Sequence, residues 1–91
     1  MAEVEHLNMY FVYAIYNDKN EKIYIGQTEN LEERLKLHNS KTFKSSYTAS
    51  FDGTWELVYH ERVLDRNAAL RREKQLKSYR GRQFIKKHIP G

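Results

Sequence analysis

The sequence predicts an α+β fold: a small, mostly antiparallel three-stranded sheet flanked by helices, in the order β-β-α-β-α-α. Three observations predict it. Two runs rich in Tyr, Ile, Val and Phe are separated by the polar cluster Asn17-Asp18-Lys19-Asn20, which is a hairpin pattern. A third run, TWELVYHER, alternates Trp55, Leu57 and Tyr59 with polar residues. Asn30 and Asp65 each stand where a helix start is expected.

The elements follow in order. Residues 1–8 read as a lead-in. Residues 9–16 are nearly all apolar or aromatic, as in a strand buried on both faces. Residues 17–20 turn, and 21–26 pair back antiparallel, ending at Gly26. The first helix runs from Leu31 to about Asn39. Asn30 caps it, and Glu33 three residues on completes a capping box. Leu31 and Leu35 form one stripe of this helix, and Arg34 and His38, also four apart, form a neighbouring one. The stretch 40–53, SKTFKSSYTASFDG, reads as a loop in which Phe43, Tyr47 and Phe51 recur every fourth residue. Residues 54–62 form the third strand. A long helix then runs from the Asp65 cap to about Arg80, Gly81 is its stop, and 83–88 form a short basic helix.

Ninety-one residues make one domain, 1–91, with its core at about 9–85 and a modest interior. No cysteine is present, which excludes disulfides and thiolate metal sites and fits a reducing compartment. Residues 1–8 include Glu3, Glu5 and His6 and lack the apolar run of a signal peptide. No stretch approaches membrane-spanning length. The expectation is a cytoplasmic protein, and a monomer because neither a coiled-coil seam nor a large spare apolar face is evident. The net charge of +4 is unevenly placed: segment 66–91 carries nine basic residues and one acid, Glu73. Such a block is either a solvated face or, with Tyr79 and Phe84 interleaved, a surface for a polyanion. Nucleic acid is the favoured partner.

Several residues could carry chemistry. Tyr13 and Tyr24 lie on opposite strands of the hairpin near Gly26, whose bare backbone leaves room for a ligand. Strand tyrosines ordinarily pack. A phenol beside a metal and a cation, however, loses its proton more easily. Arg34 is either paired with Glu29, Glu32 or Glu33, or placed to grip a phosphate bidentately. His38 either ends its helix favourably or orients a phosphate and shares in proton transfer. Glu73 shares a helix face with Ala69, Leu70, Leu76 and Lys77. Its carboxylate needs a partner, either Lys77 or a nearby arginine, or a divalent cation. Gln27 and Thr28, in the turn after Gly26, are placed to line such a site. Lys41 and Lys44 in the hydroxyl-rich loop, and Arg72, Lys77 and Arg80 in the basic segment, are candidate phosphate contacts. His6, His60 and His88 have no metal-cluster spacing.

Tyr24-Ile25-Gly26, preceded by Phe11-Val12-Tyr13 with an eleven-residue step from Tyr13 to Tyr24, resembles the paired signature of GIY-YIG nuclease domains. Arg34, His38 and Glu73 follow in the family's order, and the likeness covers about residues 10–85. Phe11-Val12 stand where the family has glycine-isoleucine. The chain is most similar to the small stand-alone bacterial members. It also resembles the nuclease domains of DNA-repair excinucleases and of homing endonucleases, which carry a separate DNA-binding module.

The resemblance implies a metal-dependent endonuclease acting on DNA more than RNA, in repair or recombination. By resemblance Tyr13 activates the attacking water and Tyr24 assists. Arg34 and His38 hold the phosphate, and Glu73 binds one Mg²⁺ or Mn²⁺. Two alternatives stay open: a nucleic-acid-binding module without useful cleavage, and an adaptor that docks on a repair protein.

Overall fold

The computed structural model describes residues 9–41 and 46–90. The expected lead-in at 1–8, with His6, lies outside the described residues, as do Phe43 and Lys44 of the loop. Three strands form one antiparallel sheet in the order β2-β1-β3, with β1 (Tyr10–Asn17) in the centre, β2 (Lys22–Thr28) on one side and β3 (Trp55–Val63) on the other. The near-continuous apolar run of β1 has its reason here: Val12 and Ala14 bury on one face, Tyr13 and Ile15 on the other. Three helices flank the sheet: α1 (Leu31–Ser40), α2 (Arg66–Leu76) and α3 (Tyr79–Lys86). A short 3₁₀ turn, Thr48–Ser50, joins the α1 side.

The two faces carry separate cores. Ala69, Leu76 and Ile85 from α2 and α3 pack on Val12, Ala14 and Ile25. Leu31, Leu35 and Phe51 pack with Tyr13, Ile15, Tyr24 and Trp55 on the opposite face. The stripe of α1 expected from Leu31 and Leu35 is thus the one that packs. The hairpin turn is held by its own polar residues: Asn17 Oδ1 accepts from the Asn20 amide at 3.1 Å, and Asn17 Nδ2 donates to the Asp52 carbonyl at 2.8 Å.

Four details depart from the sequence reading. β2 extends through Thr28, so Gln27 and Thr28 are strand residues opposite Val12 and Phe11 rather than turn residues. The Asn30 side chain caps α1 as expected, at 3.0 Å from the Glu33 amide, but the Asn30 amide donates to Thr28 Oγ1 at 3.2 Å instead of to Glu33. The register slips between Ala14 and Ile15, leaving Val58 as the extra residue of a bulge. The bulge breaks the expected alternation: Trp55 packs on the α1 face, Tyr59 on the α2 face, and Leu57 is exposed.

The fourth departure concerns the basic end of the chain. The expected long helix stops at Leu76, because Ser78 begins a new one. Its Oγ accepts from the Gly81 amide at 3.2 Å and donates to the Gln75 carbonyl at 2.6 Å. Gly81 is therefore not a stop but an interior residue of α3. A Cβ there would stand 2.3 Å from the Gln75 oxygen and 2.4 Å from Leu76 Cα. Only a glycine allows α3 to fold back this closely onto the end of α2.

Candidate active site

One end of the hairpin, α1 and the 3₁₀ turn bring five of the expected residues together with two others. The frame is set by polar anchors. The Asn39 side chain makes two hydrogen bonds with the Trp55 backbone, donating to its carbonyl at 3.0 Å and accepting from its amide at 2.7 Å. These fix the end of α1 to β3. The Trp55 indole donates to the Thr48 carbonyl at 3.1 Å and so fixes the 3₁₀ turn. His38 and Thr48 are thereby brought to one place above Tyr13.

The Tyr13 hydroxyl lies 2.8 Å from His38 Nε2, and His38 Nδ1 lies 2.8 Å from Thr48 Oγ1. Burial foremost, and the Tyr24 phenol after it, push the Tyr13 phenol well above its ordinary value. Arg34 opposes that shift and the Glu73 carboxylate adds to it. Burial first, and the Arg34 guanidinium second, hold His38 below the usual imidazole value. A neutral phenol and a neutral imidazole leave two proton arrangements, set by the tautomer. In one, Tyr13 donates to Nε2 and Nδ1–H donates to Thr48 Oγ1; in the other, Nε2–H donates to Tyr13 and Thr48 donates to Nδ1. In the first the imidazole is a proton acceptor aimed at a phenol.

Tyr24 closes the group. Its ring centroid is 5.0 Å from that of His38 and 6.3 Å from that of Tyr13. Gly26, opposite Tyr13 in the register, is what lets the two phenols meet. A Cβ there would stand 2.8 Å from the Tyr13 hydroxyl oxygen and 3.0 Å from Tyr24 Cε2. The glycine serves the packing of the two tyrosines, where the sequence alone suggested room for a ligand.

Arg34 stands one turn before His38, exposed, and its guanidinium acts on both Tyr13 and His38. It forms no ion pair among the described residues. It lines an open cavity of about 690 Å³ with Gln27, Thr28, Arg66 and Tyr10, and the carboxylates of Glu29 and Glu33 line it too. Gln27 and Thr28 thus border the site from β2, although Thr28 is itself buried. Arg66, the first residue of α2, adds a second guanidinium to this groove.

Glu73 approaches from α2, close enough for its charge to act on Tyr13. Its side chain is 18% exposed, and its Oε2 holds the Lys77 ammonium at 2.7 Å. The ion pair expected from the sequence is therefore present. That pair occupies one of the two carboxylate oxygens with an ammonium. Among the described residues no group of three His, Asp or Glu side chains converges. Glu73 fits a hard divalent ion that keeps several waters and takes one carboxylate and a phosphate oxygen.

The remaining candidates lie elsewhere. Arg72 is turned toward β3: its Nε donates to Glu61 at 2.8 Å, and the Tyr59 hydroxyl also donates to Glu61. Arg80 lines a different cavity, of about 310 Å³, with Arg72 and Phe84. Lys41 closes the loop, donating to the Phe51 carbonyl at 2.9 Å. Thr48 and Asn39 went unread as site residues in the sequence, where Tyr47 reads only as one of three aromatics spaced along the loop. Thr48 and Tyr47 sit in a Ser- and Thr-rich loop whose residues carry no motif, and Asn39 is an ordinary last-turn residue until its partner Trp55 is known.

A family model described as the GIY-YIG catalytic domain matches residues 9–87 of the chain. No curated protein matches it. No helix among the described residues is long and apolar enough to cross a membrane.

Proposed function

The chain belongs to the GIY-YIG catalytic-domain family, a nuclease-type family, and from that premise we propose that it is a metal-dependent endonuclease hydrolysing phosphodiester bonds in DNA. The observation that carries the reading is the Tyr13–His38–Thr48 relay beside Arg34 and Glu73. A packing role alone does not call for a buried phenol hydrogen-bonded to an imidazole with a depressed proton affinity.

The residues take the following roles. The Tyr13 oxygen accepts a proton from the attacking water while its own proton passes to His38 Nε2. Thr48 holds the imidazole in the tautomer that leaves Nε2 open. Arg34 binds the scissile phosphate and offsets the charge that grows on it. Tyr24 packs His38 and Tyr13 into position. Glu73 would hold one Mg²⁺ or Mn²⁺, which when bound supplies Lewis-acid polarisation of the phosphate and charge for the leaving oxygen. Lys77, Arg66 and the basic faces of α2 and α3 add salt-sensitive affinity for the backbone. A role in repair or recombination, in the cytoplasm, fits this chemistry.

The test is cleavage of end-labelled single-stranded, duplex and branched DNA, and of RNA, with Mg²⁺, with Mn²⁺ and with chelator. Cleavage that needs metal and is lost in Glu73→Ala and Arg34→Ala supports the reading. Glu73→Ala cleaving as well as the parent overturns the role of Glu73. One observation favours a second reading, a binding module without useful cleavage: Lys77 already neutralises Glu73 at 2.7 Å. That reading predicts DNA binding indifferent to metal and no cleavage of any substrate by the parent protein.

A further inference from the structure

Beside Tyr24, on the outer edge of β2, lies a cavity of about 290 Å³ lined by Ile23, Tyr24, Ile25, Tyr47, Lys77 and Arg82. β2 is an edge strand, so this groove wraps its free side. One wall is basic and comes from Lys77, just past the end of α2, and from Arg82 on α3. The other is aromatic and comes from the loop after α1. Tyr47 is 50% exposed, which is unusual for a ring built into an aromatic cluster.

Tyr47 is nonetheless oriented. Its ring lies nearly parallel to Tyr24, at 25° and 6.1 Å between centroids, and meets Phe51 edge-on at 5.1 Å. Phe51 in turn meets the buried Trp55 ring at 6.4 Å. A file of rings thus runs from the core out to Tyr47 and, through Tyr24 and His38, to the Tyr13 hydroxyl. An aromatic face held by its neighbours loses little side-chain freedom when a flat group is laid against it. The basic wall is placed for the charge that accompanies such a group in a nucleotide. The Arg82 side chain is steadied by its own hydrogen bond, Nε to the Lys77 carbonyl at 3.2 Å.

We propose that this groove is a nucleotide subsite: an unpaired nucleobase stacks on Tyr47, with Lys77 and Arg82 against its phosphate, next to the phosphate gripped for cleavage. The subsite rests on the nuclease reading, whose site it adjoins through Tyr24 and Lys77. It makes the substrate a single strand or a strand with an unstacked base, because a base inside a duplex has no free face to offer. Stacking tolerates any base, so the selectivity is for structure and not for sequence.

The test is fluorescence anisotropy in chelator, where nothing is cut. A short single-stranded oligonucleotide is compared with the same backbone carrying a run of abasic sites, and with a duplex. The parent, Tyr47→Ala and Tyr47→Trp are measured at one salt concentration. Tyr47→Ala is expected to bind the single strand on the order of tenfold more weakly, while its affinity for the abasic strand is nearly unchanged. Tyr47→Trp, which keeps a stacking face, is expected to retain the parent's preference. Equal affinity of Tyr47→Ala and parent for the single strand overturns the subsite, as does an equal loss on the abasic strand. Cleavage by the parent in Mg²⁺ is read separately. If the parent cuts and Tyr47→Ala binds unchanged, the subsite fails alone. If the parent does not cut but the base-dependent loss is present, the subsite stands and the nuclease reading falls.

Discussion

The Tyr13 hydroxyl lies 2.8 Å from His38 Nε2 across two elements, β1 and α1, that bring together residues twenty-five apart in the chain. Both ring nitrogens of His38 are engaged, so the imidazole cannot turn without breaking a bond. Tyr13→Phe removes the hydroxyl and leaves a half-buried Nε2 without its partner. The expected cost in stability is about 1–3 kcal/mol. Cleavage is expected to fall by about 10²–10⁴-fold, because a proton-transfer group is lost, while affinity for uncut DNA stays near that of the parent. Single-turnover cleavage and anisotropy on the same variant check both halves. An equal loss of cutting and binding contradicts the relay.

The depressed proton affinity of His38 fixes a pH dependence. The unfolded imidazole titrates near pH ~6.5, whereas the folded one takes its proton only at lower pH. Between the two values the unfolded state binds more protons, so this group's contribution to stability is fully present above the unfolded value. It is lost as pH falls through the folded value. Cleavage has the same acid limb, since a protonated Nε2 accepts nothing from Tyr13. The pH–rate profile is expected to show an acid limb centred below the ordinary imidazole value, and His38→Ala, whatever rate it retains, is expected to lose that limb. Histidine NMR signals titrating at or above the ordinary value contradict both statements.

Gly26→Ala tests the packing of the two phenols. A Cβ placed 2.8 Å from the Tyr13 oxygen and 3.0 Å from Tyr24 Cε2 forces one ring to move, and both are held by neighbours. Overpacking of this kind costs about 1–3 kcal/mol. Urea unfolding measures that cost, and the shift of the His38 ring protons reports whether Tyr13 has left Nε2. An unchanged His38 spectrum means that the strand edge yields instead.

What was legible in the sequence were local relationships. Tyr13 and Tyr24 share a hairpin, Arg34 and His38 share a helix stripe, and Asn30 and Asp65 cap helices through their Glu33 and Ala68 amides. Each of these rests on a period or a cap a few residues long. The relations that were not legible depend on partners far away in sequence. Thr48 reaches His38 only because Trp55 holds its carbonyl, and Asn39 matters only because β3 begins beside it. Val58 disrupts a strand pattern that reads as regular. The Ser78 cap was hidden in a basic run that looks like one helix.

The close crossing of α2 and α3 makes Gly81 the more damaging of two glycine substitutions. At Gly81 the added methyl meets backbone, with Gln75 O at 2.3 Å and Leu76 Cα at 2.4 Å, whereas at Gly26 it meets side chains. Backbone cannot swing aside, so α3 must lift away, drawing Ile85 from the core it shares with Ala69 and Leu76. Gly81→Ala is therefore expected to destabilise by more than Gly26→Ala, at or beyond the ~3 kcal/mol upper end of ordinary overpacking. Parallel urea melts of the two variants give the order. The reverse order contradicts the crossing.

Lys77 competes for Glu73 with any cation that binds there. Its ammonium sits 2.7 Å from the carboxylate, one helical turn away, and its side chain is 47% exposed. A pair this open contributes little to stability, about 0.3–0.5 kcal/mol, so Lys77→Ala is expected to melt close to the parent. Its effect on a bound ion is larger in proportion. With the competing charge gone, Mn²⁺ binding is expected to tighten by up to about fivefold, the equivalent of ~1 kcal/mol. Affinity for DNA is expected to move the other way, with the salt slope reduced by about one because one phosphate contact is lost. Calorimetric titration with Mn²⁺ and anisotropy across salt concentrations measure the two effects. Opposite signs identify Glu73 as a cation site that Lys77 guards in the free protein. No Mn²⁺ binding in either protein makes the Glu73–Lys77 pair a structural one and removes Glu73 from the chemistry.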